Sequence, residues 1–220
     1  MNQQAKSKGT IRRVTITGMM IAITLLMTYT PLGTIHVPPV SGTIAHLPTI
    51  ILAIIEGPIC GLIGGIALGL ISMIFCLTTP VSPLDPFIAN PLVSVLPRIF
   101  IGLASYFVYK GVLILLRGNR QDGTAKPVQN TISVVLGTAA GSIANTAGVL
   151  TMLYLVYKSD LMNAITAMND AEGLATPANA VITLMVTIIT TNGVSEVILI
   201  TVLGSIVILA LKRAGYGRKF

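Results

Sequence analysis

Charged side chains are the first thing this sequence lacks. Only 10% of its 220 residues are charged, and seven of them are acidic; a soluble domain carries about 25%. With 53% hydrophobic residues and a mean hydropathy of +0.86, folding in water is excluded. There is no Trp, so any aromatic belt at a membrane boundary falls to Tyr: Tyr29, Tyr154 and Tyr157 at one level, Tyr106 and Tyr109 at the other. The two cysteines, Cys60 and Cys76, lie in one apolar segment. On a helix they stand about 24 Å apart, which excludes a disulfide between them. No metal quartet is available either.

Several chemistries are missing as well. No GxxxxGK[ST] loop is present to cradle ATP phosphates, and no HExxH to hold zinc. No glutamate pair shares a helix, and no GxSx motif has a partner His at depth, so intramembrane hydrolysis has no support. Glu196 is the only deep acid and no internal repeat is evident, which argues against an ion-coupled carrier. No catalytic residue, metal or cofactor is expected, and the chain reads as a non-enzyme.

What remains is an all-α integral membrane protein of one domain, residues 1–220, with six predicted spans: about 11–29, 44–56, 59–77, 91–116, 131–157 and 178–211. The basic stretch before the first span resembles the start of a signal peptide. The apolar run after it lacks a small-x-small cleavage pattern, so it is read as a retained span. The second span is the short one. Thirteen residues rise about 20 Å, less than the roughly 30 Å hydrocarbon core, so it is a tilted helix extended by its loop or a re-entrant segment, and the helix is preferred.

The net charge of +7 raises nucleic acid as a partner, but its distribution points to a bilayer. Lys6, Lys8, Arg12 and Arg13 precede span one; Arg117, Arg120 and Lys126 separate spans four and five; Lys212, Arg213, Arg218 and Lys219 follow span six. The loop between spans five and six sets Lys158 against Asp160, Asp170 and Glu172. By the positive-inside rule the first three regions are cytoplasmic and the last external, so both termini lie inside.

Polar residues at depth are costly, and each needs a reason. Arg98 in span four and Glu196 in span six lie at similar depth, as a structural salt bridge or as ligand contacts. Asn145 and Asn192 fit an interhelical hydrogen bond or a ligand contact. Asn90, Ser94 and Arg98 recur at i, i+4, i+8, a polar stripe that lipid cannot satisfy. His46, opening span two, is read as interfacial or ligand-binding, and Asp85 as a cap of span four or a gate. Together these groups sketch a small-molecule pocket in the external half of the bundle. Two small-residue faces also stand out. Gly61, Gly65 and Gly69 in span three suit internal packing, while Gly18 and Ala22 in span one suit a partner helix.

Three runs then resemble a known family. HLPTIILAIIEGPICG, NPLVSVLPRIFIG and NGVSE occur in the order and spacing of the substrate-specificity (S) components of energy-coupling-factor (ECF) vitamin transporters, over about residues 11–211. The resemblance implies a six-helix protein of the bacterial cell membrane that captures a vitamin from outside. It implies partners too: an ECF transmembrane coupling subunit (EcfT type) and two ABC ATPases, with a toppling motion releasing the ligand inside. Gly18 and Ala22 match the family's docking motif, with Gly in place of the usual first Ala. The first two runs look most like the pantothenate S components, whose small anionic ligand suits Arg98 with Asn90, Asn145 and Asn192. Riboflavin is the alternative vitamin, with Phe87 and Tyr154 as stacking candidates in an aromatic-poor chain. A stand-alone secondary carrier of a small polar metabolite is the alternative function.

Overall fold

The computed structural model describes residues 2–37, 40–80, 84–117, 127–171, 176 and 178–216. Pro38, Pro39, Pro83, Arg120, Lys126, Glu172, Arg218 and Lys219 lie outside the described residues. Helix α1 is Asn2–Tyr29, followed by the hairpin strands β1, Thr34–Val37, and β2, Val40–Thr43, paired antiparallel. Then come α2 (Leu47–Glu56), α3 (Pro58–Thr78), two short helices α4 (Asp85–Ile88) and α5 (Pro91–Ser94), and α6 (Leu96–Arg117). Helix α7 (Pro127–Ala171) is followed by α8 (Ala180–Ile188) and α9 (Val194–Arg213), with a π-helical segment, Ile189–Gly193, between the last two.

Among the described residues, five stretches are long and apolar enough to cross a membrane: Gly9–Tyr29, Pro58–Thr78, Pro91–Arg117, Pro127–Ala167 and Ala180–Arg213. The expected second span is the exception. Helix α2 has ten residues, rises about 15 Å, and is buried on every side. Its sequence, LPTIILAIIE, is apolar all round, which is how a helix enclosed by others reads; α1, α3, α6, α7 and α9 pack around it. The hairpin occupies the stretch between α1 and α2, where the loop leading into the second span was expected.

Contacts fix how the ends are arranged. Arg12 lies 3.1 Å from the buried carboxylate of Glu56, Arg13 lies 3.7 Å from it, and the Arg12 guanidinium covers the Tyr216 ring at 5.5 Å. The start of α1, the end of α2 and the end of α9 therefore share one end of the bundle. Lys212 donates to Asn130 Oδ1 at 2.9 Å and to the Tyr109 hydroxyl, tying α9, α7 and α6 together near that same end.

Inside a bilayer apolar burial does not drive one helix onto another, so close packing and polar contacts must hold the bundle. Glycines supply the packing. A Cβ on Gly61 would meet Ala53 at 2.5 Å and Gly102 at 3.2 Å, and one on Gly65 would meet the Arg98 carbonyl oxygen at 2.3 Å. The Gly61, Gly65, Gly69 face of α3 is thus an internal seam against α2, α5 and α6. Gly137, Gly141 and Gly148 form a comparable seam on α7, against Tyr109, Ser105 with Ile50, and Pro97. Residues such as Ile59, Phe107, Leu115, Ile198 and Ile206 face outward and exposed, an apolar surface suited to lipid.

The fourth and fifth predicted spans depart from regularity. Pro97 has no N–H to give to residue 93, and the predicted fourth span breaks at Val95 into α5 and α6. The predicted fifth span continues past Tyr157, whose non-helical φ −123°, ψ 18° kinks α7. The segment beyond the kink is not the expected loop. It is a helical arm whose Leu161, Met162 and Ile165 pack with Val93, Val181 and Phe87.

Candidate ligand-binding site

A cavity of about 330 Å³ opens among α1, the hairpin, α3, α4, α6, α7 and the π segment. That lies at the small end of the roughly 300–1,000 Å³ typical of small-molecule pockets. Counted along the helices from Glu56, Asn130, Lys212 and Arg117, its polar groups stand about 15 to 28 Å from the end bearing the termini. They belong to the opposite half of the bundle.

Arg98 reaches the cavity from the first turn of α6 and is 9% exposed. Its Nη1 donates to the Ser94 carbonyl at 2.6 Å and to Ser94 Oγ at 3.1 Å; Ser94 Oγ donates to the Gly69 carbonyl at 3.0 Å. The break before α6 is what makes this possible, since it frees the Ser94 carbonyl from a helical N–H. One edge of the guanidinium is therefore anchored. Its remaining donors have no protein hydrogen bond among the described residues.

Glu196 does not pair directly with Arg98, the salt bridge sequence reading weighed. Its Oε1 lies 3.3 Å from His46 Nδ1 and accepts from Asn145 Nδ2 at 3.3 Å. His46 is 1% exposed, because it sits at the head of buried α2. Its Nε2 lies 3.3 Å from Ser142 Oγ. The His46–Glu196 contact has the distance of an ion pair without hydrogen-bond alignment, as His46 Nδ1 is otherwise unpartnered.

Asn192 and Gly193 lie in the π segment, whose Val194 N–H reaches back to the Ile189 carbonyl, a five-residue spacing. The extra residue per turn delivers Asn192, Gly193 and Glu196 to the cavity wall; single π turns recur at functional sites for this reason. On the facing helix, Asn145 Oδ1 and Thr146 Oγ1 are buried with no hydrogen-bond partner among the described residues, polar groups held at the cavity.

Five of the seven predicted binding residues, His46, Arg98, Asn145, Asn192 and Glu196, thus line one cavity. Asn90 and Ser94 do not. Asn90 caps α5, accepting from the Leu92 N–H at 3.0 Å, and donates to the Tyr157 hydroxyl at 2.9 Å beside the α7 kink. Ser94 is fully buried as the Arg98 anchor. Asp85 lines the cavity from the first turn of α4. Sequence reading missed Ser142 and Thr146, although Thr138, Ser142, Asn145 and Thr146 follow helical spacing and would have betrayed a polar face on α7. Gly18 and Ala22 are not among the residues that line the cavity. They are exposed on the flank of α1, with nothing within 4 Å of a Cβ on Gly18.

Two comparisons with known proteins bear on this arrangement. The family described as "ECF transporter, substrate-specific component" matches residues 12–208. The chain is also 30% identical over 189 residues to the pantothenic acid transporter PanT of Lactococcus lactis subsp. cremoris (strain MG1363), covering 80% of each.

Proposed function

Because the chain belongs to the substrate-specific components of ECF transporters, we propose that it captures pantothenate from outside the cell for ATP-driven uptake by partner subunits. The observation that carries this reading is the Arg98 guanidinium, anchored on one edge by Ser94 and open to a cavity lined with amides. A fixed, partly dry guanidinium is the protein group best matched to a carboxylate. Asn145, Thr146 and Asn192 supply the donors and acceptors that a ligand with hydroxyls and an amide requires. The similarity to a pantothenic acid transporter supports the same choice. Riboflavin needs broad stacking surfaces, and the aromatic rings at the cavity are Tyr29 and Phe75, stacked edge-on against each other at 5.3 Å.

In this reading the end bearing the termini is cytoplasmic, as the clustered basic residues require. The hairpin and α2 together make the sixth crossing, the hairpin taking the outer half and α2 the inner. The exposed Gly18 and Ala22 flank of α1 receives the ECF coupling subunit, which brings two ABC ATPases. No step of chemistry on the ligand is involved.

The test is to purify the chain from cells grown with pantothenate and riboflavin, denature it, and identify what is released by mass spectrometry. Stoichiometric pantothenate is expected. Riboflavin or a different vitamin in its place would overturn the substrate. Uptake into vesicles by the chain alone, driven by a proton or sodium gradient, would overturn the dependence on partners.

A further inference from the structure

The charges around the cavity do not balance an anionic ligand. The titratable groups facing it are Tyr29 of α1, His46 ahead of α2, Cys76 of α3, Asp85 of α4, Arg98 of α6 and Glu196 of α9; α7 and α8 contribute none. With Arg98 and Glu196 ionised and His46 neutral, these three groups carry one positive and one negative charge. A bound carboxylate adds a second negative charge to a largely desolvated space, where uncompensated charge is expensive. Something must neutralise it.

The geometry identifies the group. His46 Nδ1 and Glu196 Oε1 lie 3.3 Å apart, both nearly buried, the distance of an ion pair, so a proton gained by either is felt directly by the other. The surroundings tolerate either state of the pair. Ser142 Oγ, 3.3 Å from His46 Nε2, is a hydroxyl that accepts from or donates to the ring. Asn145 Nδ2 donates to a Glu196 oxygen that accepts whether or not the carboxyl carries a proton. Arg98 makes no salt bridge among the described residues, so it remains available to the ligand.

We propose that the site takes up its anion together with one proton, gained by the His46–Glu196 pair. This rests on the assignment of the cavity as a carboxylate-binding site. The proton comes from bulk solvent through the buffer and no bond of the ligand is made or broken. The bound state carries Arg98 against the ligand carboxylate, with the His46–Glu196 pair neutral overall. The sign follows from linkage. An incoming anion raises the proton affinity of the pair, so binding is tighter at low pH. The dissociation constant rises about tenfold per pH unit once the free pair has lost its proton, and is flat where the pair is already protonated.

The measurement is calorimetric titration of pantothenate into the purified full chain at about pH 8, in two buffers of different ionisation enthalpy, with Kd followed from about pH 6 to 9. Expected are an apparent enthalpy that differs between buffers by the heat of about one proton taken up, and a Kd that climbs with pH. Glu196→Gln should remove the buffer dependence and flatten the pH profile, whereas Asp85→Asn should keep both. Pantothenate binding with equal heats in the two buffers overturns the proton proposal and leaves the carboxylate site standing. A buffer dependence that survives in E196Q, or disappears in D85N alone, overturns the assignment to this pair. Absence of pantothenate binding at every pH overturns the site and this proposal together.

Discussion

Arg98 shows how much a single residue's placement decides. A guanidinium in an apolar helix was legible from sequence as something that needs a partner, and so were Glu196, Asn145 and Asn192. Which partner each has was not legible, because helical spacing reports a shared face and not who occupies it. The i, i+4, i+8 stripe of Asn90, Ser94 and Arg98 was real. Yet two of its members serve the backbone, one as a cap and one as an anchor, and only Arg98 reaches the cavity. Which of the two readings of His46 applies was not legible for a related reason: its depth depends on α2 being a buried, ten-residue helix. If Arg98 meets the ligand carboxylate, Arg98→Ala should weaken pantothenate binding by about 2–5 kcal/mol, at least thirtyfold in Kd. Expression and monodispersity should stay normal, since the side chain holds no salt bridge. Arg98→Lys should recover part of the loss, because a point charge replaces a two-pronged donor. Isothermal titration beside size-exclusion profiles reads both. Wild-type affinity in R98A would move the carboxylate elsewhere.

At the scale of elements, the long apolar segments were the readable part, since length and composition alone declare a helix in lipid. Their interruptions were not. Pro97 in a helical pattern signals a break, but not that the break exposes a carbonyl for Arg98. The π segment has no sequence mark beyond Asn192-Gly193, and the arm after Tyr157 resembled a loop because its charges outweighed the spacing of Leu161 and Ile165. The α3 glycines were recognised as a close-packing face, and their consequence for the site is specific. Gly65 lies against the Arg98 carbonyl and Gly69 against Val95, so this seam sets where the α5–α6 break sits. A methyl at Gly65 would need backbone, not side chain, to move. Gly65→Ala should therefore cost about 1–3 kcal/mol of stability and also displace Arg98. A lower melting midpoint together with weaker pantothenate binding is expected; Gly111→Ala, with nothing within 4 Å of its Cβ, should change neither. Unaltered melting and binding in G65A would mean that the seam does not position the site.

For the whole molecule, the arrangement of the ends carries the argument. The contacts of Arg12 with Glu56 and Tyr216 bring both termini to one end of the bundle, and the polar cavity lies toward the other. With that end cytoplasmic, Asn163 in the arm after the kink is external and Gly215 internal. In intact cells an impermeant maleimide should label Asn163→Cys and not Gly215→Cys, the native Cys60 and Cys76 being buried; the reverse pattern would invert the topology.

The same separation of ends separates binding from delivery. Helix α1 is the least buried of the apolar spans, with Gly18 and Ala22 exposed on its flank and nothing among the described residues within 4 Å of a Cβ on Gly18. Small residues there leave a groove in which another helix can approach closely without lipid between them, and side chains of Leu size would fill it. Gly18→Leu and Ala22→Leu should therefore leave the pantothenate Kd within about twofold, because neither residue lines the cavity and exposed substitutions away from a site usually change little. Uptake by cells carrying the coupling subunit and ATPases should fall to background, and co-purification of those subunits should fall with it. A loss of affinity instead would place the α1 flank in the binding site, while normal uptake would require the partner to sit on a different face of the bundle.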